Sequence, residues 1–210
     1  VMANFNLFLP ELLKAEGGYQ NKLSDRKGNT NSLGQMVGTK YGISAPVYEA
    51  YIKRPPTVAD MKNLPLSTAV LIAKKYYWDA CNADEIENQS VANLIVDHYF
   101  NSGKRMFVKQ VLKDRFGAKI KVDSKISRDT IALINASNPE FLHFELKKSR
   151  EKYYRSLGGV NLKGWLNRLS RFVFEKKKPK PNNNSTTIAK PSYSHAWDWL
   201  VFTNKKAFQR

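Results

Sequence analysis

The chain has 210 residues and a mass of 24.0 kDa, with 35 Lys and Arg against 18 Asp and Glu, so its formal net charge is +17 and its pI is near 9.9. Hydrophobic residues at 42% and aromatics at 12% suffice for a packed core, which excludes global disorder despite the charge. A single cysteine, Cys81, excludes a disulfide framework and a Cys-rich zinc site, and the histidines His98, His143 and His195 lie far apart, so no metal and no cofactor is expected.

In chain order, Phe5, Phe8, Leu9, Leu12 and Leu13 recur at helical spacing and predict an amphipathic helix that Gly17-Gly18 ends. Residues 19–44 are rich in Gly, Asn, Ser and Asp with short β-compatible pieces, the pattern of a small hairpin with a long turn. From there on the pattern is helical almost throughout. Residues 66–78 form a good amphipathic run, and Ser90 reads as the N-cap of a helix over 91–102 that Gly103 closes. Further helices are predicted over 104–116, 127–135, 138–157 and 162–174; Asn138-Pro139 opens the third of these and Gly158-Gly159 stops it. The fold class is mainly α (α+β), with one small β element. The tail changes character: a Lys-rich stretch over 176–181 and a polar one over 182–187 read as a mobile linker. Beyond it, Trp197, Trp199, Leu200, Val201 and Phe202 form an apolar cluster expected to dock back onto the domain. No run approaches the roughly 20 apolar residues of a membrane span, and residues 1–5 lack the features of a signal peptide.

The residues that point to chemistry are Glu16, Gly17, Gly18, Tyr19, Asn21 and Asp25, followed by Thr39-Lys40-Tyr41-Gly42-Ile43-Ser44. Glu16 stands at the last turn of a buried-face helix. The negative end of the helix dipole and partial burial both disfavour its ionised form, which suits a general acid. Asp25 follows nine residues later, where a second carboxylate can face the first over a cleft, and two carboxyl groups in two environments are the minimum equipment for glycoside hydrolysis. On spacing alone, a Glu before Gly-Gly also serves as a solvated helix end, and Asp-x-x-Gly is a common turn. Tyr19, Tyr41 and Trp78 offer aromatic faces for a sugar ring, although Trp78 reads better as core. Cys81 reads as a small buried hydrophobe rather than a nucleophile, and Asp97 as a structural carboxylate bonding nearby backbone or the 165–168 region.

Glu16-Gly17-Gly18-Tyr19, Asn21, Asp25 and the Thr-x-x-Gly-Ile-Ser element resemble the N-terminal signature of glycoside hydrolase family 108 muramidases, which are lysozyme-like enzymes of phages and bacteria. Tyr77-Trp78-Asp79 resembles the element closing that catalytic region. Asp97, Asn101-Ser102-Gly103, Val122-Asp123, Thr130, Tyr153-Tyr154 and the 163–168 segment resemble the predicted peptidoglycan-binding region that follows it. The resemblance covers roughly residues 5–172. It implies a lysozyme-like helical fold with the hairpin at the cleft, and cleavage of the β-1,4 bond between N-acetylmuramic acid and N-acetylglucosamine. Carried over by position, it makes Glu16, Asp25 and Thr39 catalytic, and Tyr19, Asn21 and Tyr41 substrate-binding. The segment between Asp25 and Thr39 is longer than the family pattern, and Thr30 also supplies a threonine; Thr39 is preferred because Tyr41-Gly42-Ile43-Ser44 follows it in register. The implied organisation is a catalytic region over 1–88, a helical wall-binding region over 89–178 sharing one core with it, and a linker with aromatic tail over 179–210.

The charge is unevenly placed. Residues 141–180 hold twelve Lys or Arg and three Glu, more than half of the whole excess. This reads as adsorption to an anionic cell wall, alongside the plain alternative of a solvated helix face and basic linker. A nucleic-acid binder is the rival class, but no zinc finger, RRM signature or recognition helix is visible; a non-catalytic wall-binding module is the second rival. The expected protein is a monomer that acts on peptidoglycan, made in the cytoplasm without a signal peptide and released through a holin-like pore or another route.

Overall fold

Phe5, Phe8 and Leu12 share one face of α1 (Phe5–Ala15) because their spacing follows the helical repeat, and all three are buried. That face meets Trp78, whose ring lies 5.7 Å from Phe5 and 5.6 Å from Phe8, centroid to centroid, so Trp78 is core as expected. Its indole Nε1 donates to Asp84 Oδ1 at 2.6 Å, which satisfies the ring's one polar atom. The computed structural model describes residues 2–15 and 18–176, and these are mainly helical, with a lysozyme-like architecture. Val1–Glu175 forms one compact unit; a second comprises Lys176–Arg210, and beyond Lys176 it lies outside the described residues, as does the expected docking of the aromatic tail.

After α1 come the single-turn α2 (Arg26–Asn29), then α3 (Ala45–Ile52), α4 (Val58–Asn63) and α5 (Leu66–Ala73). The helix expected over 66–78 changes winding at Lys74: Lys74–Trp78 forms a wider π-helical turn, which carries the buried Tyr77 and Trp78. Among the described residues the expected hairpin does not form strands. Only isolated antiparallel bridges join Gln20 to Thr39, Thr30 to Met36 and Lys40 to Ile43. The Asn-rich sequence explains this, because side chains take over backbone partners that a ladder needs. Asn31 Oδ1, for instance, accepts from the Leu33 and Gln35 amides.

The remaining helices are α6 (Gln89–Ser102), α7 (Phe107–Phe116), α8 (Arg128–Ala136), α9 (Pro139–Leu157) and α10 (Leu162–Ser170). The cap of α6 is Asn88, whose side chain accepts from Val91 N, rather than Ser90; Ser90 is buried and its Oγ accepts from Glu175 N at 3.0 Å. Asn138 caps α9 as expected. Helix α6 is buried at Ser90–Ala92 and Leu94–His98, and α9 packs against α6, α7, α8 and α10. No helix among the described residues is long and apolar enough to cross a membrane.

Two histidines of this helical layer are buried and neutral. Burial, reinforced by the charge of Arg150, pushes His98 down to about 3, and burial with Lys147 pushes His143 down to about 4. The unfolded chain takes up these protons near 6.5 and the native state does not, so stability is expected to fall as pH drops from about 6.5 toward 3–4. Chemical denaturation across that range checks this. His98→Phe, which fills the space without a titrating group, should flatten the slope.

Candidate active site

The loop after α1 builds the site. Residues 18–21 run antiparallel to 36–39: Gln20 and Thr39 exchange backbone hydrogen bonds of 2.8 Å in both directions. Tyr19 Oη donates to Val37 O at 3.1 Å, and Asn21 Nδ2 to Met36 O at 3.2 Å. A side chain at position 38 would collide with the Tyr19 ring at 2.5 Å, and φ there is +95°, so glycine is required for this close approach.

Asn29 is the hub, and it is fully buried. Its Nδ2 donates to Lys22 O at 2.9 Å, its carbonyl accepts from the Val37 and Gly38 amides, and its Oδ1 accepts from Thr39 Oγ1 at 2.6 Å. Asp25 caps the turn that ends at this hub, its Oδ1 accepting from Gly28 N at 3.3 Å. A methyl group at Gly28 would lie 2.8 Å from Asp25 Oδ2, so the glycine is what lets the backbone sit against the carboxylate. Asp25 is exposed while Thr39 is 5% exposed. The carboxylate therefore faces solvent, while the threonine is buried with Asn29 as part of the support. Thr30 is used differently: its hydroxyl donates to Arg26 O at 2.7 Å and closes the α2 turn.

Four of the expected site residues, Tyr19, Asn21, Asp25 and Thr39, thus belong to one hydrogen-bonded loop cluster. Tyr41 sits at its edge with φ +52°, beside the small core of Ile43, Leu64 and Ile72, with Lys40 Nζ 5.0 Å above its ring. Lys62 Nζ lies 5.4 Å over Tyr19, so both tyrosines carry a cation on one face. Glu16 and Gly17 lie outside the described residues. Sequence reading passed over Asn29. Its only signal was a polar residue four positions after Asp25 inside a Gly-Asn-Thr turn, which is indistinguishable from ordinary loop composition.

Burial pushes the Cys81 thiol up to about 12, partly offset by Arg105, so it is not a thiolate nucleophile. Asp97 is fully buried between two guanidiniums, Arg150 and Arg168, which matches its structural role; Arg168 Nη2 lies 2.7 Å from Oδ1. Among the described residues, no three His, Cys, Asp or Glu side chains converge as a metal site.

Residues 9–103 match the model of the family Glycosyl hydrolase 108. The solved structure of Brucella abortus SagA superposes with a TM-score of 0.67 over 80% of this chain and 90% of that one, at 24% identity, which shows the shared fold. No curated protein matches the chain significantly. The family match ends at Gly103, the residue that caps α6, and takes in α1 and the whole loop cluster around Asn29. Residues 9–103 thus resemble the glycosyl hydrolase 108 family, which together with the shared fold supports a glycoside hydrolase of the lysozyme-like kind.

Proposed function

We propose that the protein is an N-acetylmuramidase that cleaves the β-1,4 bond between N-acetylmuramic acid and N-acetylglucosamine in peptidoglycan. The observation that carries this is the loop cluster within the family-matched segment, where an exposed Asp25 accepts from Gly28 N and the adjoining, buried Asn29 accepts from Thr39 Oγ1. In the mechanism, Glu16 protonates the glycosidic oxygen as positive charge develops on the sugar. Asp25 stabilises that charge or orients the attacking water. Thr39 acts through Asn29 as a positioning residue: its proton is committed to Asn29 Oδ1, which holds the turn that Asp25 caps. This supports Thr39 over Thr30, whose hydroxyl serves the α2 turn. Tyr19 and Tyr41 supply aromatic faces for the sugar rings, and Asn21 fixes the strap that carries Tyr19.

The region after residue 103 is proposed to hold the wall. Not all of its charge is available for that, since Arg150 is 1% exposed, Arg168 is spent on Asp97, and Lys147 Nζ donates to Phe172 O at 2.8 Å. Adsorption then rests on outward residues such as Lys152 and Lys163. Action at the wall after holin-like or other release remains part of the same proposal.

Turbidity of a purified peptidoglycan suspension tests the reading. The muramidase clears it, a non-catalytic wall-binding module only sediments with it, and a nucleic-acid binder does neither. Gly28→Ala probes the Asp25 support specifically. The added methyl displaces the flexible carboxylate, not the backbone, so clearing should slow by about 10–100-fold while the melting temperature moves little. Unchanged clearing would show that the seating of Asp25 is irrelevant to the reaction.

A further inference from the structure

Two lysines from different elements reach the tyrosines of the loop cluster. Lys62, on α4, holds its Nζ over the Tyr19 ring, and Lys40, next to Thr39, holds its Nζ over the Tyr41 ring. The two are linked, because Lys40 Nζ also donates to Lys62 O. A surface lysine ordinarily samples many rotamers, and fixing one costs entropy. Here ring and carbonyl together give the Lys40 ammonium a defined place, and Tyr19 gives one to Lys62. The nearby acids are engaged elsewhere: Asp60, two residues before Lys62, pairs with Arg54 at 2.8 Å, and Glu49 accepts from Ser32 N. Among the described residues neither Lys40 nor Lys62 has an ion pair. The loop adds charge of the same sign. Residues 18–43 hold Lys22, Arg26, Lys27 and Lys40 against Asp25 alone, and the first three are exposed.

Like charges gathered at one site without a counter-charge attract an anion and raise its local concentration. General adsorption to an acidic surface needs no such placement. Here both ammonium groups are seated on the tyrosines that flank Thr39, one in the strap paired with residues 36–39 and one two residues after it. The anion they take is therefore part of what lies along the loop cluster. In the glycan of the reading above, one sugar of each pair is neutral and the other carries a lactyl acid. We propose that Lys40 and Lys62 form a subsite for the carboxylate borne on that lactyl group, and so select acidic glycan over neutral N-acetylglucosamine polymer. In a peptide-free strand the carboxylate is the lactyl group's own; in an intact one it belongs to the attached stem peptide. This assignment rests on the muramidase reading. Tyr19 and Tyr41 then also serve as seats for the lysines, and the charge sets which sugar of the alternating chain occupies this side of the loop cluster.

Kinetics of reducing-end release test this, with peptide-free glycan strands, peptide-bearing strands, and both again after methyl-esterification of their carboxyls. For the unmodified protein, esterification should raise KM about fivefold with kcat little changed, and the difference should shrink at high salt. Lys62→Gln and Lys40→Gln should each bring the KM values of acid and ester together. Lys62→Arg, which keeps the charge, should restore the gap, with melting temperatures as the folding control. A response of peptide-free strands assigns the carboxylate to the lactyl group, and a response confined to peptide-bearing strands assigns it to the stem. Equal KM for acid and ester in the unmodified protein overturns the proposal, as does a gap that survives both glutamine variants. NMR titration of the full chain with the disaccharide N-acetylglucosaminyl-N-acetylmuramic acid and its methyl ester reads the subsite without cleavage. Strands cut with no preference for the acid sink the subsite alone, and acid-preferring binding without cutting sinks the muramidase alone.

Discussion

Glu16→Gln is expected to slow peptidoglycan clearing by about 10²–10⁴-fold, the range a positioned general acid contributes, while leaving the melting temperature essentially unchanged. Glu16 lies outside the described residues, but both flanks of its position are well defined. Before it, α1 is anchored on Trp78 through Phe5 and Phe8, with Leu12 buried on the same face. After it, Gly18–Asn21 is strapped to Met36–Thr39 by backbone and side-chain bonds. A glutamine keeps the shape and cannot give up a proton, so the substitution removes chemistry and leaves packing. Asp25→Asn should also be impaired, since the residue that balances positive charge loses its own. Asn29→Ala should impair clearing by a different route, lowering stability as well because Lys22 O and Thr39 Oγ1 both lose their partner. The contrast between a stable inactive Glu16→Gln and a destabilised Asn29→Ala separates reaction from support.

Asp97→Asn is expected to destabilise the protein by about 3–5 kcal/mol, the usual result of removing one member of a buried ion pair, and so to lower the melting temperature by roughly 10 °C. The carboxylate of α6 ties together α9, through Arg150, and α10, through Arg168; without it two guanidiniums face each other in the interior. Burial alone would raise the Asp97 carboxyl, but Arg150 and Arg168 together hold it below the ordinary carboxylate range. Its contribution is thus present above the unfolded value near 4 and is lost as pH falls through the lower folded value. The gap between wild type and Asp97→Asn should accordingly be full at pH 7 and narrow in strong acid. Thermal melts of both proteins across pH check the size and the direction together. A gap that widened on acidification would contradict the ion-pair account.

Much of the helical layer was legible because it rests on local signals. Apolar spacing placed α1, Asn138-Pro139 placed the start of α9, and Gly103 and Gly158 placed helix ends, each through a physical cause that acts within one turn. Where tertiary contacts override local preference, the sequence misleads. Ser90 reads as a cap, yet it is buried and receives Glu175 N, eighty-five residues away, while Asn88 does the capping. The π turn over Lys74–Trp78 has no composition of its own. The hairpin was expected from β-compatible pieces, but Asn29 and Asn31 satisfy the backbone with their side chains and leave isolated bridges in place of a ladder. The sequence singles out Tyr19, Asn21, Asp25 and Thr39 as candidates; it does not single out the buried Asn29 that bonds Lys22 O and Thr39 Oγ1, because long-range hydrogen bonds leave no periodicity. The basic run over 141–180 reads as solvated or wall-facing charge, although Arg150 and Arg168 are paired with the buried Asp97.

The most direct test of the central claim is mass spectrometry of purified peptidoglycan digested to completion, compared with a Glu16→Gln control. The muramidase account predicts soluble muropeptides whose reducing ends are N-acetylmuramic acid, and none with the Glu16→Gln protein. Reducing N-acetylglucosamine ends, free stem peptides, or the same products from the Glu16→Gln protein would contradict it.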